Sequence, residues 1–386
     1  MNKGFYFLAF FLFTSTSLLL QSCSGDDEQL VPSTWTPVQA PDPGAALRGF
    51  YLLNEGNMGS NKCTLDFFDY TTGYYRKNIY AETNPNVVLE LGDTGNDIQV
   101  YGGKLYAVIN YSGYVEVMDA VTARHLGSVQ ISNCRYITFN DGKAYVSSYA
   151  GPVLVDPSAR PGVVVEIDTA TLVKTREVTV GYQPEEMVVE GNKLYVANSG
   201  GYRVPNYDRT VSVIDLATME VVNTIDVAIN LHRMAKDRHG AIYVSSRGNY
   251  LGAGSDVYVI DAATDMVYDT LGIAASEMCL VGDSLYLFSS EYSASSGNYE
   301  VTYALYNVQK QEIITRNFIS DGTEKQIRMP YGLAVNPETR EIFLTDAKDY
   351  VSPGTLYCFT PDGRRKWSVT TGDIPASFAF LSNNRK

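Results

Sequence analysis

The chain has 386 residues, of which 45% are apolar, with 43 acidic against 30 basic side chains. That length is ample for a large core, and the acidic balance argues against nucleic acid or an anionic lipid surface as a partner. Five cysteines without a CxxC spacing exclude a disulfide-stapled scaffold.

Met1 to Leu20 carries one basic residue, Lys3, ahead of a Phe/Leu-rich stretch, which fits a secretory signal better than a membrane span. It ends in Leu20-Gln21-Ser22-Cys23, which resembles a bacterial lipobox. The resemblance makes residues 1–22 a lipoprotein signal and Cys23 the lipidated first residue of the mature chain. Loss of Lys3 then leaves 29 basic against 43 acidic residues. Ser24-Gly25-Asp26-Asp27-Glu28 resembles the surface-export signal of Bacteroidetes lipoproteins, and a solvated linker is the plainer reading of the same residues. Residues 23–48, with Pro32, Pro37, Pro41 and Pro43, read as the lipidated cysteine and an extended tether without a core. A lipid on Cys23 would anchor the chain to the outer membrane with the support of a second contact.

From residue 49 a short phrase recurs, with a long apolar residue, an aromatic, small or apolar residues and a polar stop. Its aromatics are Tyr51, Tyr106, Tyr145, Tyr195, Tyr243, Tyr286 and Phe343. The mean period of about 49 residues belongs to propeller blades rather than helical repeats. The clearest copy holds four β-branched runs split by turns: Gln183 to Glu190, Leu194 to Asn198, Thr210 to Asp215 and Val221 to Val227. These predict four antiparallel strands, A to D. The third strand returns as Val115 to Asp119, Val163 to Asp168 and Val257 to Asp261. The fold class is therefore all-β, a seven-bladed β-propeller of four-stranded antiparallel blades spanning residues 49–386. The first blade begins at its B strand, Phe50 to Asn54, and Ala376 to Leu381 resembles an A strand with no partner. The C-terminal strand is thus predicted to pair with the N-terminal blade and close the ring.

Signatures of catalysis are scarce. The three histidines, His125, His232 and His239, show no metal spacing, and no HExxH, GxSxG or phosphate loop occurs. Asp93-Thr94-Gly95-Asn96-Asp97 reads as a polar turn rather than a calcium loop. Gly252-Ala253-Gly254 does not lead from a strand into a helix. Glu185 and Glu186 are neighbours in a strand and face opposite sides, which disfavours a shared proton. Cys279 and Cys358 fall in strands as buried thiols, and a Cys63–Cys134 bridge stays open.

The two ends of the ring differ. A–B and C–D turns such as Asn140-Asp141-Gly142 and Ala120-Val121-Thr122 are short and polar. The B–C loops at the other end are long and carry Tyr111, Tyr114, Tyr149, Tyr202, Tyr207, Tyr250, Tyr292, Tyr299 and Tyr350. The D–A crossings meet that end with Arg135-Tyr136, Glu185-Glu186, His232-Arg233, Ser276-Glu277 and Tyr331. Tyrosines inside strands, such as Tyr106, Tyr145 and Tyr195, pack between blades. Loop tyrosines interleaved with Asn, Ser and Gly form a candidate binding face. The candidate ligand residues are Tyr111, Arg135, Tyr136, Tyr149, Glu186, Asn198, Tyr202, Tyr207, Arg233, Tyr250, Glu277, Tyr292 and Tyr331.

The run Leu194 to Ser199, Thr210 to Asp215 and Val221 to Ile225 resembles the YVTN/YncE-type seven-bladed propellers over residues 49–381. The opening Tyr51-Leu52-Leu53-Asn54-Glu55-Gly56-Asn57, joined to the lipobox and acidic run, resembles Bacteroidetes surface lipoproteins once labelled surface-layer proteins. That group includes the BtuG-type cobalamin-binding propellers. The resemblance implies a non-enzymatic lipoprotein on the outer-membrane surface that holds cobalamin as cargo, without a resident cofactor or metal, and passes it to a TonB-dependent transporter. An adhesion or surface-layer role for the same face is the first alternative, and a lactonase- or lyase-like enzyme built around His232, Glu186 and Glu277 the second.

Overall fold

Each repeat's four runs pair as four antiparallel strands, and seven such sheets form the blades of a β-propeller. A computed structural model describes residues 35–87, 91–249, 253–293 and 297–383. Blades are numbered in chain order, with strands A to D running outward from the axis. Blade 2 comprises Gly95–Tyr101, Lys104–Ile109, Tyr114–Asp119 and His125–Gln130. The A strands of blades 3 to 7 are Cys134–Asn140, Pro184–Glu190, Leu231–Lys236, Glu277–Val281 and Pro330–Val335.

Blade 1 closes the ring as the sequence predicts. Its A strand is Pro375–Ser382, which pairs antiparallel with the B strand Leu47–Asn54, setting Phe380 opposite Phe50 and Phe378 opposite Leu52. The seam is aromatic: the Phe50 ring lies 4.6 Å from Phe343, 5.5 Å from Phe378 and 5.8 Å from Phe380. Closure joins the last blade to the first through the apolar effect and leaves no bare edge on Leu47–Asn54.

The repeated phrase has a packing reason at each position. Tyr106, Tyr145 and Tyr195 are buried between blades, as are the apolar residues that flank them. The aspartate that ends the C strand in blades 1 to 5 turns the chain. Asp119, Asp168 and Asp215 each accept two backbone N–H bonds from the following turn, at 2.9 to 3.1 Å.

Three details depart from the sequence reading. The tether extends less far than residue 48, because Trp35–Pro37 pairs with Tyr74–Arg76 as a fifth, outermost strand of blade 1. The Arg76 guanidinium sits 3.9 Å over the Trp35 ring, and Val38, Ala45 and Leu47 pack on the blade's core. Blade 6 carries ten-residue B and C strands, Ser284–Ser293 and Asn298–Asn307, so Tyr292 and Tyr299 are paired strand residues. Cys63 and Cys134 are buried without a disulfide between them, Cys358 is buried as well, and Cys279 is half-buried. The lipobox, Cys23 and the acidic run lie outside the described residues. Among the described residues no helix is long and apolar enough to cross a membrane.

Phe50 is fully buried at the seam, so Phe50→Ala should cost about 3–5 kcal/mol of stability. Val222→Ala, on an exposed D strand, should stay within about 0.5 kcal/mol. Denaturant unfolding of the two variants compares them directly, and equal losses would show that the seam does not hold the ring.

Candidate functional site

The inner strands are bulged where they enter the ring. In blades 3, 4, 5 and 7 two A-strand residues oppose one B-strand residue. The doubled pairs are Arg135-Tyr136, Glu185-Glu186, His232-Arg233 and Tyr331-Gly332. A bulge frees a backbone N–H and re-aims the side chains beside it. In blades 3, 5 and 7 a hydroxyl residue at the polar stop of the repeat supplies the missing acceptor, and blade 4 has Ala197 at that place. Ser147 Oγ accepts from Tyr136 N–H at 3.1 Å, Ser245 Oγ from Arg233 N–H at 3.0 Å, and Thr345 Oγ1 from Gly332 N–H at 2.7 Å. All three hydroxyl residues are fully buried.

The re-aimed side chains meet on the axis as an ion-pair network. Arg135 donates through Nε and Nη2 to Glu185 Oε2 at 3.2 and 3.1 Å. Glu185 is 1% exposed, and its other oxygen accepts from Tyr149 O–H, Ser199 and Arg247. Arg233 pairs with Glu277 at 2.6 Å. The Tyr136 ring lies 5.7 Å from the Arg135 guanidinium and 5.2 Å from that of Arg233. Its hydroxyl meets His232 Nε2 at 2.9 Å. Tyr331 O–H donates to Glu55 at 2.6 Å.

These groups line two cavities that share Arg233. The upper one, about 190 Å³, opens toward the B–C loops and is bounded by Glu55, Arg135, Tyr136, His232, Arg233, Arg247 and Tyr331. The lower one, about 380 Å³, carries Asp97, Glu186 and Glu277 against Arg233. Burial dominates the protonation of both. It drives the His232 ring well below its ordinary range, with the neighbouring arginines pushing the same way. Burial also lifts the Glu186 carboxyl to about 8 despite Arg233, with Glu277 and Asp97 adding repulsion. Asp97 rises to about 6 for the same first reason, against backbone N–H donation from Ile137 and the charge of Arg233. Among the described residues no His/Cys/Asp/Glu cluster has metal-binding geometry.

Around the upper cavity the loop face is rimmed by exposed apolar groups. Among the described residues, half of the exposed large apolar side chains stand on the B–C side: Met58, Tyr111, Leu154, Val155, Tyr202, Val204 and Val351 on the connections, and Tyr292 and Tyr299 at the loop ends of the long blade 6 strands. The remainder lie on the outer strands, and none falls in an A–B or C–D turn. The loops of blades 3 and 4 are tied together by Asp156 N–H donating to Tyr202 O and by the Tyr149 and Tyr202 rings, 6.1 Å apart.

The structure thus brings Arg135, Tyr136, Glu186, Arg233, Glu277 and Tyr331 together on the axis, and sets Tyr111, Tyr202 and Tyr292 on the rim. Tyr207 is half-buried in the blade 4 loop, and Tyr250 lies outside the described residues. Two of the expected ligand residues have internal duties. Tyr149 is buried beneath the rim by its bond to Glu185, and Asn198 is fully buried, donating to Thr210 and Ser212 at 3.0 Å each. Loop tyrosines are therefore not all free of structural work, and Tyr114, expected in a loop, opens the blade 2 strand Tyr114–Asp119 and donates to Leu91 O at 3.1 Å. Glu55 and Arg247 are the site residues that sequence reasoning missed, and Glu185, placed at this end by its D–A crossing, was left out of the candidate ligand set. Arg247 was detectable, because it follows Ser245-Ser246 as Tyr149 follows Ser147-Ser148.

Two measurements probe this arrangement. Ser245→Ala leaves the Arg233 N–H without its acceptor and should cost about 1–3 kcal/mol in denaturant unfolding. For pH, the folded chain holds the Glu186 proton more tightly than the unfolded chain, whose carboxyl titrates near 4.5. That stabilisation is complete below 4.5 and is lost as pH rises through about 8. The melting temperature should fall between these values, and Glu186→Gln should flatten the fall. An unchanged slope would mean that the carboxyl is ionised in the fold.

Comparison with known proteins gives fold and family. No curated protein matches the chain. Among solved structures, hydrazine synthase of Kuenenia stuttgartiensis aligns with a TM-score of 0.55 at 15% identity, covering 69% of this chain and 77% of that one. A quinoprotein alcohol dehydrogenase-like protein of Bacteroides thetaiotaomicron gives 0.53 at 16% identity, covering 87% and 78%. AztD of Citrobacter koseri, in its apo form, gives 0.53 at 11% identity, covering 88% and 99%. At these identities the likeness is one of fold. Residues 48–355 match a family model described as a domain of unknown function, and the chain belongs to that DUF5074 family.

Proposed function

We propose that this chain is a non-catalytic capture protein whose loop face binds cobalamin or a related corrinoid and passes it to a TonB-dependent outer-membrane transporter. The observation that carries this reading is the asymmetry of the two faces. Exposed aromatic and aliphatic side chains encircle a polar, charged well on one face only. A corrinoid is a broad ligand with apolar macrocycle edges and a fringe of amides. An apolar rim would cover the edges, while Asn, Ser and Tyr hydroxyl groups meet the amides. The width of the rim suits such a body better than a narrow catalytic slot.

The charged groups on the axis support binding rather than proton transfer. Glu185 and Glu277 are held by arginines, and Glu186 accepts the Met234 N–H at 2.7 Å. The His232 ring is neutral and engaged with Tyr136. In this reading residues 1–22 export the chain, a lipid on Cys23 anchors it at the cell surface, and the flat loop face is left open to the medium and to the transporter.

Calorimetric titration of the mature chain with cyanocobalamin tests the reading. One-to-one binding is expected, weakened about fivefold or more by Tyr202→Ala or Tyr292→Ala, since truncation of an interface tyrosine at a hot spot costs about 1 kcal/mol or more. Val222→Ala, on an outer strand, should bind as the parent does. Absence of binding at tens of micromolar would reject the corrinoid and direct the search to glycans and protein partners of the same face.

A further inference from the structure

Resting on the corrinoid reading, we propose that the upper axial cavity is an oxyanion subsite, which takes the phosphodiester of the ligand's nucleotide arm while the macrocycle lies on the rim. Three guanidinium groups, Arg135, Arg233 and Arg247, border this cavity, and Glu55 is the one carboxylate among its lining residues. The two carboxylates that pair with them stand behind: Glu185, between Arg135 and Arg247, is 1% exposed and Glu277, paired with Arg233, 8%. The guanidinium groups therefore intervene between the cavity and their own counter-charges. Each has five N–H donors, of which Arg135 spends two on Glu185. The Nε of Arg233 is buried without a hydrogen-bond partner.

A second observation points the same way. His232 is 6% exposed, borders the cavity, and has no partner for its buried Nδ1. In the tautomer in which Tyr136 O–H donates to Nε2, the ring proton sits on Nδ1 and is an unpaired donor beside the three guanidinium groups. A buried donor without an acceptor is costly, and a ligand oxygen there would remove that cost. Glu55 does not oppose an anion strongly, because Tyr331 donates to it and burial favours its neutral form.

Size and polarity set the depth to which the arm enters. At about 30 Å³ per water, 190 Å³ holds a phosphate group with a few waters but no macrocycle. Below Arg233 the lining turns acidic, with Asp97, Glu186 and Glu277. An oxyanion thus finds cationic donors as far as Arg233 and none in the lining below it, so the channel is a socket and not a pore.

The test compares cyanocobalamin with dicyanocobinamide, which keeps the macrocycle and lacks the phosphate and base. The parent protein should favour cobalamin by about tenfold to a hundredfold, the range for hydrogen bonds to a charged group. A double variant, Arg233→Gln with Glu277→Gln, removes the pair without stranding a buried charge, and should bring the ratio close to one. If that variant fails to fold, Arg247→Gln serves instead, since Glu185 keeps Arg135. Equal affinities in the parent, or a ratio untouched in the variants, overturn the subsite and leave corrinoid capture standing. If neither corrinoid binds, the corrinoid reading falls, and inorganic phosphate then decides the subsite. A saturable rise in melting temperature that the variants lose supports it, and no rise overturns it.

Discussion

The hydroxyl groups that satisfy the bulged inner strands are the interaction on which the site depends. A regular A strand would alternate its side chains between neighbouring blades and leave few of them for the axis. The bulge turns two consecutive residues toward the ring centre, at the cost of a buried N–H, and Ser147, Ser245 and Thr345 offset that cost with one hydrogen bond each. Thr345 does more, for it also donates to Pro375 O at 2.6 Å. The same side chain thereby fixes the blade 7 bulge and the first residue of the closing strand. Packing and site are built from one set of buried hydroxyl groups.

What the bulges deliver is charge held where water is scarce. Ion pairs in such a place add little stability, because desolvation cancels most of the attraction. Their value lies in fixed direction: Arg135 is set by Glu185, Glu185 in turn by Tyr149 and Ser199, and Arg233 by Glu277. A preorganised set of donors binds without first surrendering side-chain freedom. Basic groups above Arg233 and acidic groups below it give the axis a polarity that the opposite turns do not share.

The propeller was legible in the sequence because each blade repeats the same solution to the same problem. An aromatic between blades, β-branched neighbours and an aspartate at the C–D turn recur with a fixed period, and the unpaired Ala376 to Leu381 announced the seam. The site was less legible because it is made by departures from that repeat. Position by position the doubled residues are Arg135-Tyr136, Glu185-Glu186, His232-Arg233 and Tyr331-Gly332, which share no chemistry. Tyr149 and Tyr202 look alike in sequence, yet one is 5% and the other 38% exposed, since only Tyr149 faces a buried carboxylate. Glu55 could not be linked to Tyr331 from sequence, as 276 residues separate them. Trp35 read as tether because nothing local tells that Arg76 awaits it.

Ring closure has a kinetic consequence. Trp367 donates to Gln39 across 328 residues of chain, and the aromatic seam spans a comparable separation. Contacts so distant form only after a long loop has closed, which slows the final step and concentrates the barrier there. Until Pro375–Ser382 docks, the B strand of blade 1 and the face of blade 7 stand open, with Phe50 and Phe343 uncovered. Once docked, the seam makes unfolding equally reluctant, because no blade can peel away from an edge that no longer exists. The lifetime of the folded ring is thus set at a single joint, while its equilibrium stability is shared among all seven blades.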